Sequence, residues 1–113
     1  MKQWTFTTIL YVDHDAAFET ALTKLKANDG FDKEVQLLVM DPHASEEVAQ
    51  LCQGQANVRH CPMEDAEIGA AYNEGLRQAE GTYVNFCLAT AEYSGNIYKK
   101  VSGLFRRQPA HML

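Results

Sequence analysis

Residues Val35–Met40 read VQLLVM, five apolar side chains in six positions with no charge among them. A strand on a half-solvated sheet alternates apolar and polar residues, whereas a run this uniformly apolar suits a parallel strand covered on both faces. The run is too short for a helix of ordinary length. Three further runs carry the same β-branched and aromatic character: Thr7–Val12 (TTILYV), Val58–Cys61 (VRHC) and Tyr83–Leu88 (YVNFCL).

The segments between these runs change to helical period. Phe18, Leu22 and Leu25 fall at i, i+4 and i+7 and predict a helix over 15–26, stopped by Asn28-Asp29-Gly30. Ser45 is placed to cap a second helix, with Glu46 and Glu47 in a first turn that favours negative charge. Ile68, Ala71, Gly75, Leu76 and Ala79 are the predicted inner face of a third helix, and Gly81 is expected to end it in a left-handed conformation. Ala70, Ala71 and Gly75 are small enough to let that helix lie close against a sheet. Ile97, Val101, Leu104 and Phe105 form a fourth stripe, with Ser94 as its cap. Alternation of this kind predicts an α/β layer fold: a mainly parallel four-stranded sheet flanked by helices and joined by right-handed crossovers. Such sheets bind ligands outside the carboxyl ends of their strands. In this chain those ends are followed by DHD (13–15), DPH (41–43), PMEDAE (62–67) and ATAEYS (89–94).

Composition narrows the function classes. With 113 residues, 46% hydrophobic and 22% charged, the chain is expected to form one domain over 1–113, standing alone or cut from a longer protein. The net charge of −5 argues against nucleic-acid binding, which relies on clustered Lys and Arg. Cys52, Cys61 and Cys87 form no C-x-x-C pair and no zinc-finger spacing, so buried free thiols in a reducing compartment are expected. The N-terminal run MKQWTFTTILYV ends in DHD and is too short for a signal peptide or a membrane span. The expected location is the cytoplasm, with no transmembrane segment.

Four stretches, ILYVDHD, LLVMDPHAS, EIGAAYNEGLRQAEGTYV and VNFCLATAEYS, lie where a known family carries its motifs. They resemble the N-terminal, nucleotide-binding half of the family 2 glycosyltransferases, whose fold is the Rossmann-like GT-A type, here truncated. That family has a P-V-Y-N loop after its first strand, D-D-G-S after its second, a helix patterned G-x-S-x-A-R-N-x-G-L-x-x-A-x-G, and a strand running Y-I-x-F-L-D-x-D-D. Asn73, Gly75, Leu76, Ala79, Gly81 and Tyr83 match the helix pattern and the strand after it in order. The similarity runs from about Thr7 to Phe105. Departures are Tyr11 for Pro, Asp13 and His14 for Tyr and Asn, Met40 for the first Asp of D-D-G-S, and Tyr72 for the Arg of A-R-N.

The resemblance implies a UDP-type nucleotide sugar over the ends of the first two strands, with Val12, Asp13, Asp41 and Asn73 as nucleotide-binding residues. It implies no particular catalytic residue. The metal-binding D-x-D of the family falls on Leu88-Ala89-Thr90, where both carboxylates are missing. No metal is therefore expected there, and Mn²⁺ or Mg²⁺ enters only if Glu92 substitutes. Sugar transfer by this chain alone is accordingly not expected.

Three other readings compete. ILYVDHDAAF also looks like the start of a receiver domain, with Asp13 and Asp15 as metal ligands and Asp41 as phosphoacceptor. A phosphatase would use Asp13 as nucleophile and Asp15 as acid, although a helix-capping Asp15 explains the same residue. A degenerate nucleotide-sugar fold serving as a docking or oligomerisation module, with a homodimer formed through an open final sheet edge, accounts for the missing carboxylates. His43 beside Asp41 reads as an acid/base pair only if the two side chains converge. His14, His60 and His111 read as surface or strand-end residues. Tyr72, Tyr93 and Tyr98 are placed to stack on a base or sugar, and Tyr83 reads as core.

Overall fold

In the computed structural model, which describes residues 4–28, 30–64, 67–90 and the backbone of 105–106, the four apolar runs become parallel strands. These are β1 (Trp4–Tyr11), β2 (Val35–Asp41), β3 (Val58–Pro62) and β4 (Gly81–Leu88). They are ordered β3-β2-β1-β4, and a two-residue β5 (Phe105–Arg106) pairs antiparallel with Tyr83 and Val84 of β4. The connections carry α1 (Asp15–Lys26), α2 (Phe31–Glu34), α3 (Glu46–Cys52) and α4 (Ile68–Gln78).

Every residue of β2 is buried, as the run VQLLVM requires. Alternation along the strands divides the interior in two. Leu10, Val12, Leu37 and Val39 face Phe18, Leu22 and Leu25 of α1 and Val48 of α3. Ile9, Leu38, Met40 and Val84 on the opposite face pack against Ala71 of α4 and Ala79 just beyond it. Opposed charges suit the dipole of α1, with Asp15 in its first turn and Lys24 and Lys26 in its last. Ser45 caps α3, accepting a hydrogen bond from the Val48 amide at 3.4 Å.

Several expectations are corrected. Gly81 does not end α4 in a left-handed turn: the helix closes at an extended Ala79, and Gly81 is the first residue of β4. What requires glycine there is proximity, since a Cβ would lie 2.6 Å from the Phe6 carbonyl carbon and the Thr7 nitrogen. Gly75 is small for a related reason, because its Cβ would meet Ile9 at 2.6 Å, and this brings α4 down onto β1. Ile68 is not on the inner face; it is 45% exposed. Asp15 is the first residue of α1 and not its cap, a position taken by His14 without a side-chain hydrogen bond. Phe105, expected on a fourth helix, lies in β5, while Ser94, Ile97, Val101 and Leu104 lie outside the described residues. β5 also covers part of the β4 edge that was expected to be open.

Candidate functional site

The strand order fixes where a ligand can enter. From the central β1 the chain steps to β2 and β3 on one side, then returns to place β4 on the other. The order reverses between β1 and β4, and the crevice outside the carboxyl ends of two such strands is the topological switch point at which open α/β sheets bind ligands. Asp13, just past β1, bridges this crevice. Its carboxylate accepts a hydrogen bond from the Thr90 amide at 3.2 Å and another from the Thr90 hydroxyl. The two chain exits are held in step by the Ala89 amide donating to the Tyr11 carbonyl at 2.9 Å.

Beside the crevice, the end of β2 turns on Asp41. Its side chain is fully buried. Oδ1 accepts from the His43 amide at 3.1 Å, and Oδ2 accepts from the Ser45 amide at 2.7 Å and lies 2.9 Å from His60 Nε2. The two amides flank Ala44, a non-glycine residue with left-handed backbone, φ 48°. Left-handed backbone at an alanine costs roughly 1–2 kcal/mol and persists where its surroundings over-determine it. Asp41 provides that constraint. The loop it shapes carries His43 outward, where Nδ1 lies 3.0 Å from Asp15 Oδ1.

The structure brings some of the expected residues together and separates others. Asp13 and Thr90 meet, as do Asp15, Asp41 and His43. Val12 is fully buried in the core facing α1 and α3. Asn73 is an exposed residue of α4, on the opposite face of the sheet from α1 and α3. Leu88 pairs with Tyr11 across β1 and β4, and Glu92, Tyr93, Tyr98 and His111 lie outside the described residues. Leu88 has no side-chain oxygen and the Thr90 hydroxyl is engaged by Asp13, so these two positions do not fit a divalent cation. His43 and Asp41 converge through the His43 amide, and the imidazole of His43 turns to Asp15. His60, read from sequence as a strand-end histidine, is instead the side-chain partner of Asp41. Tyr72 stacks edge-on against Phe86 at 5.0 Å, and Tyr83 lies against Phe6 at 5.9 Å.

Charge at this end of the sheet is one-sided among the described residues. Lys24 and Lys26 lie in the last turn of α1 and Lys33 in α2, ahead of β2. Arg59 bonds to Gln78, and Arg77 pairs with Glu74. None of these cations is brought to Asp13, Asp15 or Asp41, so neither a receiver nor a phosphatase arrangement with an assisting Lys is assembled by the described residues. Cys52 and Cys61 are buried as expected, whereas Cys87 is only partly buried; burial, and then the Asp41 charge, push Cys52 up to about 12, and burial raises Cys61, which disfavours the thiolate at both. An open cleft of about 550 Å³ lies between β3 and α4, lined by residues including Arg59, Met63, Glu74 and Gln78.

The fold defines the class: an α/β layer with a Rossmann-like parallel sheet of four strands flanked by helices. Among solved structures the chain is similar to the crystal structure of S. aureus TarS 1-349, with a TM-score of 0.70 and 21% sequence identity. The match covers 90% of this chain and 31% of that one, so the chain spans about a third of the structure it resembles. No protein-family model matches the sequence, and no curated protein matches it. No helix among the described residues is long and apolar enough to cross a membrane.

Proposed function

We propose that the chain is a nucleotide-sugar-binding domain that takes a UDP-type ligand in the crevice between the ends of β1 and β4. The observation that carries this reading is the Asp13–Thr90 bridge at the switch point, in a fold similar to that of TarS 1-349. In this reading Asp13 exchanges one of its bonds with Thr90 for a ligand hydroxyl or imide. Asp41 acts through the 42–45 loop it holds, and Val12 contributes backbone. Asn73 belongs to the ligand surface only if the ligand reaches around the sheet edge to α4. Donor binding, and not sugar transfer, is the proposed role, because Leu88 and Thr90 supply no carboxylates where the resembling family carries its D-x-D.

Calorimetric titration of the chain with UDP in the presence of chelator tests the reading. Saturable binding is expected, weakened about tenfold by Asp13→Ala, the loss of one charge-assisted hydrogen bond. Absence of binding to the folded wild-type chain would refute the proposal. Binding that Asp13→Ala leaves unchanged would move the ligand away from the switch point.

A further inference from the structure

We propose that a cavity at the amino ends of β2 and β3 binds a primary alkylammonium group, held by the side-chain oxygens of Asn28 and Gln55. Two chain segments build it. Asn28, and Phe31 of α2, lie ahead of β2, while Gln55 and Asn57 lie ahead of β3. Because the strands are parallel, the cavity stands at the end of the sheet opposite the crevice. Its volume is about 160 Å³.

What points to a ligand is a pair of unpaired acceptors on the wall of one cavity. Asn28 Oδ1 and Gln55 Oε1 are both buried, and neither has a hydrogen-bond partner among the described residues. Asn28 as a whole is only 8% exposed. A buried carbonyl oxygen left unpaired carries the full cost of its lost hydration, and native folds ordinarily satisfy it. Turning either amide over does not relieve this, because the nitrogens are already committed. Asn28 Nδ2 donates to the Lys24 and Leu25 carbonyls at 3.2 and 3.1 Å, and Gln55 Nε2 donates to the Leu51 and Gln53 carbonyls at 2.9 and 3.1 Å.

The same accounting sets the ligand's chemistry. Asn57, the third amide of the wall, donates from Nδ2 to the Phe31 and Val35 carbonyls at 3.0 and 2.9 Å. All three amides thus spend their N–H groups on the backbone, and what they offer an incoming group is acceptors only. A hydroxyl or water brings lone pairs that these amides do not meet, whereas an ammonium brings donors alone. Buried Phe31 gives the cavity an apolar wall for a hydrocarbon stem, and the exposed Asp32 places negative charge at its rim. Lys26 also lines the cavity, so its own ammonium competes with an external amine. At about 30 Å³ for each water-sized group, the cavity takes about five non-hydrogen atoms, the size of n-butylammonium.

The site is independent of the nucleotide crevice, and its test needs no nucleotide. The side-chain amide resonances of the full, isotope-labelled chain are followed by NMR at neutral pH during titration with n-butylammonium. A parallel titration uses tetramethylammonium, which carries the same charge and no N–H. Saturable shifts at the Asn28 and Gln55 amides are expected with n-butylammonium, and binding at least about tenfold weaker with tetramethylammonium. Gln55→Met keeps the length of the side chain and removes the acceptor, so it is expected to weaken n-butylammonium binding about tenfold. Lys26→Met is expected to strengthen it by removing a like charge. Nα-acetyl-lysine methylamide separates the two sources of such a group: binding at least as tight as that of n-butylammonium assigns the site to a lysine of a partner protein, and binding of n-butylammonium alone assigns it to a free small amine. No shift at either amide in the wild-type chain, or equal binding of the two simple cations, would overturn the site without calling on any variant. Binding untouched by a folded Gln55→Met would overturn it as well.

Discussion

Ala44 sits in left-handed backbone between two amides that the Asp41 carboxylate holds, so one residue stores strain that another maintains. Glycine adopts this conformation without a Cβ penalty, and Ala44→Gly is expected to raise stability by up to about 1 kcal/mol in urea unfolding, the αL relief being partly offset by a more flexible unfolded chain. A loss of stability would mean that the Ala44 methyl makes packing contacts worth more than the strain. The sequence singles out Asp41, since an acidic residue directly after a buried strand stands at the ligand end of the sheet. His60 is not legible in the same way. It lies 19 residues further on and reaches Asp41 only because β3 pairs with β2 in a register that sets His60 opposite Val39. A one-residue slip would turn the imidazole to the other face. Nothing in the string Val-Arg-His-Cys-Pro fixes that register.

At the scale of elements, helix and strand positions follow from periodicity because each side of the sheet has a helical stripe to match it: Phe18, Leu22 and Leu25 on one face, Ala71 and Gly75 on the other. Element ends are harder to read, and Gly81 is the instructive case. A glycine two residues past an apolar helical stripe has the sequence signature of a left-handed stop, yet here it begins a strand whose backbone passes β1 at close range. Both arrangements demand the absence of a Cβ, so the residue type alone does not separate them. Their energetic consequences do differ. Gly81→Ala forces the β1 backbone at Phe6 and Thr7 to move and threatens the bond from the Gly81 amide to Thr7 Oγ1 at 2.8 Å. The expected loss is about 2 kcal/mol, the scale of overpacking a tight site. Gly75→Ala meets the side chain of the fully buried Ile9 and not strand backbone, a lesser obstacle than the β1 main chain, so it should cost less. Urea melts of the two variants rank them, and a larger loss at Gly75 would mean that the α4–β1 contact is the stiffer of the two.

For the molecule as a whole, the parallel α/β class is legible from the apolar runs, but the strand order is not, because β4 returning to the far side of β1 is a property of long-range pairing. That return sets β4 beside β1, where the proposed nucleotide site lies. The parallel pairing of β1 with β2 concentrates Asp13, Asp15 and Asp41 at one end of a chain whose net charge is −5, while the described Lys and Arg residues lie elsewhere. An anionic diphosphate approaching that end without a cation meets like charge, and dissolved salt screens this repulsion over the Debye length. Binding of UDP in chelator should therefore strengthen, by roughly two- to threefold, as NaCl rises from about 0.02 to about 0.2 M. A basic phosphate site responds in the opposite sense, because salt there competes with attraction. A fall in affinity with salt in the absence of metal would instead place Lys or Arg next to the bound nucleotide, and would show that the ligand is held by residues beyond those at the ends of β1, β2 and β4.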